Sequence, residues 1–189
     1  MLNHGGEHGF DALAKTVNFG LLYGMQAYGL SRDTGMSRSE SQAFIDQYWA
    51  RLPKVRQYLD STLDFGREHG YIQTIMGRRR PIPELQSGDP SQRGVGERMA
   101  VNSPIQGSAA DLIKVAMIKV HRRLQDELPR CKMILQVHDE LIFEVPDQEL
   151  EQAKQLVKAE MEATGDALGL SVPLKVDVGV GCNWRAAHP

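Results

Sequence analysis

The stretch ILQVHDELIFEV, residues 134–145, sets three polar residues, His138, Asp139 and Glu140, in the middle of an apolar run. A run this rich in Ile, Leu, Val and Phe calls for burial, yet burying an unpaired carboxylate costs several kcal/mol. Both demands are met if the run folds back on itself. Strands over 132–138 and 140–145 then form a β-hairpin with a tight turn that carries the acids, although no Asn-Gly or Gly-Gly marks it. Two readings of that turn stay open. Either Asp139 and Glu140 are turn residues in water, or the turn is a rigid post that holds a carboxylate beside a hard divalent cation.

Around this hairpin the chain reads as helical. Residues 11–24 are helix-compatible, with Gly20 and Gly24 weakening the C-terminal half. Ser37, three residues before Glu40, gives a capping-box pattern that opens a helical stretch running to about Gly70, and Pro53 divides it in two. YIQTIMGRRRPIP reads as strand, Gly-centred turn and second extended piece, and ELQSGDPSQRG as a connecting loop. Helices are expected over 92–103 and 105–128, separated at Pro104, and over 147–168 after the hairpin. The alternating VPLKVDVGVG predicts a final strand. Helices, hairpin, helix and strand in this order make the class α+β rather than a regular βαβ repeat.

Bulk composition narrows the function classes. The chain has 189 residues, 41% of them hydrophobic, enough for a sizeable core. Its formal charge of −2 supplies no general attraction for nucleic acid, so any such surface comes from local clustering. Arg78, Arg79 and Arg80 form the densest basic cluster, suited to backbone phosphates or to a solvated turn. Cys131 and Cys182 make no metal or redox spacing, so reduced thiols in a cytoplasmic protein are expected. No apolar run approaches a membrane span, and no partner membrane is expected.

A second stretch, KTVNFGLLYG at 15–24, places Lys15, Phe19 and Tyr23 four residues apart on one helical face. A cation, an aromatic plane and a phenol along one stripe match the phosphates, base and sugar of a nucleotide. The other reading makes Phe19 and Tyr23 core residues and Lys15 a solvated end.

AKTVNFGLLYGM and LQVHDELIFEV, together with the intervening MGRRRPIPEL and ERMAVNSPIQGSAADLIKVAM and the terminal VPLKVDVGVGCNW, resemble the C-terminal part of family A DNA polymerases, the bacterial DNA polymerase I type. The similarity runs from about Ala14 to Trp184. It implies a divergent segment over 1–13, a fingers-like helical part with a hairpin over 14–83, and a palm-like part over 84–189 with a partial antiparallel sheet. The implied activity is template-directed nucleotidyl transfer in DNA replication or repair, with primer–template DNA and deoxynucleoside triphosphates as partners.

Carried over residue by residue, the resemblance makes Lys15 a phosphate contact that assists the leaving pyrophosphate. Phe19 sits against sugar and base, and Tyr23 helps check the nascent pair or holds the template base. Asp139 is a metal-binding carboxylate with Glu140 as its acidic neighbour, and His138 lies near the primer terminus. Arg98, Asn102 and Gln106 lie along primer–template, with Arg78 and Arg79 on backbone phosphates. Gln106 reads minor-groove acceptors, which test geometry rather than sequence. Phosphoryl transfer of this kind uses two Mg²⁺ ions about 4 Å apart, held by carboxylates, and a cation on a mobile helix completes charge neutralisation.

The sequence also departs from the family. Its other metal-binding aspartate belongs to a motif absent from these residues, so one ligand of the two-ion site is missing and the isolated chain is expected to be inactive. Asp11 stands where the family has a basic residue one turn before Lys15, and is expected to pair with that lysine. Two functions follow: half of a split polymerase that needs its N-terminal partner, or a non-catalytic DNA-binding or interaction module. A palm sheet short of one strand predicts self-association or a partner.

Overall fold

The computed structural model describes Glu7–His188, with side chains from Leu13 onward. Helices dominate, with two small antiparallel sheets, each of two strands. The chain is α+β. It divides into two compact units, one comprising the residues up to Gln73 with Arg79–Ile105, the other Thr74–Arg78 with the residues from Gln106 onward.

The first unit opens with α1 (Glu7–Leu22), α2 (Ala27–Thr34), α3 (Arg38–Arg51) and α4 (Pro53–His69). The capping box at α3 forms in full: Glu40 N donates to Ser37 Oγ at 3.2 Å, and Ser37 N donates to Glu40 Oε2 at 2.8 Å. Pro53 stands at the first position of α4, where its missing N–H costs nothing, so it starts a helix instead of breaking one. Leu21, Leu30 and Ile45 from α1, α2 and α3 bury together with Val17, Met25 and Trp49 around them. A second core joins Ile72, Ile82, Leu85 and Ala100, with Leu63 and Met99 against it. It is built from α4, the hairpin β1 (Tyr71–Gln73) and β2 (Arg79–Pro81), a 3₁₀ turn over Pro83–Gln86, and the start of α5 (Pro90–Glu127). Much of the expected loop 84–94 is therefore helical.

Helix α5 runs 38 residues without a break, where two helices separated at Pro104 were expected. A proline removes one backbone donor and crowds the preceding turn, but flanking hydrogen bonds carry the helix past it. Ser103 Oγ donates to the Met99 carbonyl at 2.5 Å and Pro104 itself is buried. The division between the two units falls just after it, at Ile105.

In the second unit Val120, Leu124 and Leu128 of α5 pack with Cys131 and with Ala153, Leu156 and Val157 of α6 (Leu150–Ala167). Met133 and Phe143 cover this core from β3 (Lys132–Val137) and β4 (Glu140–Glu144). The buried stripe of α5 runs Ile113, Ala116, Val120 and Leu124, and Ile118 faces water. The two strands pair antiparallel as read from sequence, with an irregularity between Met133 and Leu135 that leaves Ile134 and Leu135 half exposed.

The final strand expected over 172–181 is not a strand. An alternating pattern supplies a face but no ladder, and these residues pair with neither sheet. The segment is fixed instead by side chains: Leu174 packs at Gly165, and Val176 N donates to Glu162 Oε1 at 3.0 Å. A short helix, α7 (Trp184–Ala187), follows.

Candidate active site

The stripe on α1 belongs to the first unit. Val17 and Leu21 turn toward the core, which leaves the Lys15–Phe19–Tyr23 face outward. Phe19 is 56% exposed, too much for a core residue of this size, and its ring stacks on that of Tyr23 with centroids 6.2 Å apart. The stripe ends at Gly24, whose φ of 87° is the left-handed conformation that favours glycine. A Cβ there would meet Arg98 Cγ at 3.4 Å, so the arginine stem lies beside the end of the stripe with its residue exposed. Lys15, Phe19 and Tyr23 thus share one face of α1, and Arg98 lies at the C-terminal end of that stripe. Asp11, the expected partner of Lys15, has its side chain outside the described residues, as do Met1–Gly6.

The arginine cluster does not act as one patch. Arg79 lies over the Tyr71 ring, 4.7 Å from its centroid. Arg80 Nη1 donates to Ser103 Oγ at 3.1 Å. Arg78 pairs with Asp111, a carboxylate 2% exposed. That pair pins the Thr74–Arg78 turn on α5, where Ile75 N also donates to Ser108 Oγ at 2.9 Å. One Asp111 oxygen, Oδ2, is buried without a partner, as is Asn102 Oδ1. Asp111 escaped the sequence reading. The available signal was an acid set among Ala109, Ala110 and Leu112 on a helix that must bury one side. Gln106, by contrast, is exposed.

The acidic turn lies in the second unit. Val137 and Glu140 pair across the hairpin, so His138 and Asp139 alone make the loop. Two-residue loops favour turns with positive φ, and His138 adopts φ 53°. Gln136 Nε2 donates to the His138 carbonyl at 3.0 Å and braces it. Asp139 is exposed at the tip, while Glu140 already has a partner: His188 Nε2 lies 2.8 Å from its Oε1. Among the described residues no three His, Cys, Asp or Glu side chains cluster to hold a metal ion. The donor set fits a share of a Mg²⁺ site rather than the whole, because Mg²⁺ takes one or two protein carboxylates and completes its shell with water and phosphate oxygens.

Residues 12–186 match the model for DNA polymerase family A. The chain belongs to this family. It is 50% identical over 171 residues to DNA polymerase I of Caldicellulosiruptor bescii, covering 90% of this chain and 20% of that protein. Against the thermostable DNA polymerase I of Thermus aquaticus the identity is 47% over 174 residues, 92% of this chain and 20% of the relative. It is also similar to the solved polymerase domain of Pol1 from M. smegmatis in complex with DNA primer-template and dNTP. The TM-score is 0.87 at 46% identity, over 93% of this chain and 30% of that one. The family A chain therefore spans about a fifth of the length of the curated relatives it matches. Among the described residues no helix is long and apolar enough to cross a membrane.

Proposed function

We propose that this chain supplies the nucleotide-facing helix and one metal-holding turn of a template-directed DNA polymerase. The observation that carries the reading is the outward stripe of α1: a cation, two stacked aromatic rings and Arg98 beside them. Lys15 neutralises the triphosphate and aids departure of pyrophosphate, while Phe19 and Tyr23 pack on sugar and base. Asp139, with Glu140 beside it, offers its carboxylate to Mg²⁺. When bound, the ion supplies a Lewis acid at phosphate oxygens and lowers the pKa of an attacking hydroxyl. The remaining ligands come from beyond the described residues.

Arg78, Arg79, Arg98, Asn102, Gln106 and His138 are the proposed primer–template contacts, each argued from its own residue type. In this reading α1 to β2 act as fingers and the rest as palm, in a cytoplasmic protein of replication or repair. The half-exposed Ile134 and Leu135 support a reading in which a further polymerase segment, or a second copy of the chain, covers β3. The second reading is a binding module without chemistry, and the engagement of Glu140 by His188 favours it to that extent.

The test grafts residues 12–186 in place of the matching fifth of a DNA polymerase I relative and measures primer extension. The proposal predicts extension that falls at least tenfold with Lys15→Ala. A folded graft that binds duplex but never extends supports the binding module and rejects the polymerase reading.

A further inference from the structure

The end of the chain carries an arrangement that the polymerase reading leaves unused. Asn183 caps α7, its side-chain oxygen accepting from Ala186 N at 3.0 Å. The helix turns back so that its last residues lie on the backbone of Gly179 and Gly181. A Cβ at Gly179 would overlap the Ala187 carbonyl, and one at Gly181 would sit 2.6 Å from the Ala186 carbonyl carbon. Real Cβ atoms do not come so close, so the dock needs both glycines. The dock delivers His188 to Glu140, Nε2 to Oε1 at 2.8 Å, next in sequence to Asp139. An exposed pair of this kind adds little stability, but it fixes where the carboxylate points.

We infer that the C-terminal tail is a latch: docked on Gly179 and Gly181, it holds Glu140 through His188 and leaves Asp139 as the carboxylate offered to the metal ion. His188 is a positioning residue in this scheme. It sets how many carboxylates the turn presents, and hence how tightly the turn alone binds a divalent ion. The inference rests on the reading of Asp139 as a metal ligand.

The test titrates the whole 189-residue chain with Mn²⁺ by calorimetry. Releasing Glu140 with His188→Ala adds a second carboxylate and raises Mn²⁺ affinity about fivefold, because affinity follows ligand charge count. The double variant His188→Ala/Glu140→Gln returns to the wild-type value. His188→Lys, which keeps an N–H donor for Glu140, stays close to wild type. Equal affinity of wild type and His188→Ala overturns the latch.

If Asp139→Ala leaves Mn²⁺ binding unchanged, or no variant binds, the reading of Asp139 fails instead. The latch is then decided without metal, by amide exchange at Ala186, Ala187 and His188, whose N–H groups donate to the Asn183 and Trp184 carbonyls. Exchange several-fold faster in both Glu140→Ala and Gly179→Ala supports a docked tail held by Glu140. Unchanged exchange in Glu140→Ala overturns it.

Discussion

His138 holds a left-handed backbone that costs a side chain with a Cβ about 1 kcal/mol, and it does so at the tip of the hairpin proposed to carry the metal ligand. Such strain persists where the geometry serves something other than stability. His138→Gly is therefore predicted to stabilise the chain by up to about 1 kcal/mol in denaturant unfolding, while lowering extension by the grafted polymerase. A loss of stability would show that the imidazole, not the backbone, matters to the fold. The residue type was legible in ILQVHDELIFEV, but its positive φ was not, because no Gly or Asn announced it.

Cys131 illustrates the opposite case, a chemically quiet residue. Burial first, then Glu149, pushes its thiol up to about 11, and its Sγ donates to Glu149 Oε2 at 3.3 Å. Since the thiolate is the nucleophile, alkylation at pH 8 is predicted to modify the exposed Cys182 and spare Cys131, read by peptide mass spectrometry. The Arg130 hydrogen bond, the larger cause, and the Cys131 thiol hold Glu149 below the ordinary carboxylate range. Its contribution to stability is thus complete above the unfolded carboxylate value and is lost as pH falls through the lower folded one.

Among the elements, α5 departs furthest from expectation. Pro104 reads as a boundary because its local effect is real, but the helix continues on contacts that a linear pattern does not display. Gly96 is one of them. A Cβ there would lie 2.7 Å from Leu85 N and 2.9 Å from the Glu84 carbonyl carbon, so α5 and the 3₁₀ turn touch backbone to backbone. Gly96→Ala is predicted to lower Tm by several degrees in calorimetry despite its better helix propensity. An unchanged or higher Tm would contradict that packing. The capping box of α3 and the pairing of β3 with β4 were readable because their signals are local. The segment over 172–181 was misread because a strand depends on a neighbour that its own sequence does not name. The Arg78–Asp111 brace was hidden for the same reason, its partners standing far apart in the chain.

At the scale of the molecule, the net charge of −2 and the exposed cation at Arg98 make any duplex binding a matter of local phosphate contacts. Binding to a short DNA duplex is predicted to weaken linearly in a log–log plot against salt, and Arg98→Ala to lower the slope by about 1. The same slope in wild type and variant would remove Arg98 from the interface. Family membership was legible from motifs spread over most of the chain, since each keeps its residues in order. How the acidic turn and the α1 stripe serve one reaction belongs to the proposal, and it has a direct test.

That test is single-nucleotide incorporation by the graft of residues 12–186, comparing wild type with Asp139→Ala at saturating Mg²⁺. With a metal-holding carboxylate removed, the rate is predicted to fall by about 10³-fold or more while duplex binding and folding persist. Incorporation within a few-fold of wild type by Asp139→Ala would contradict the account.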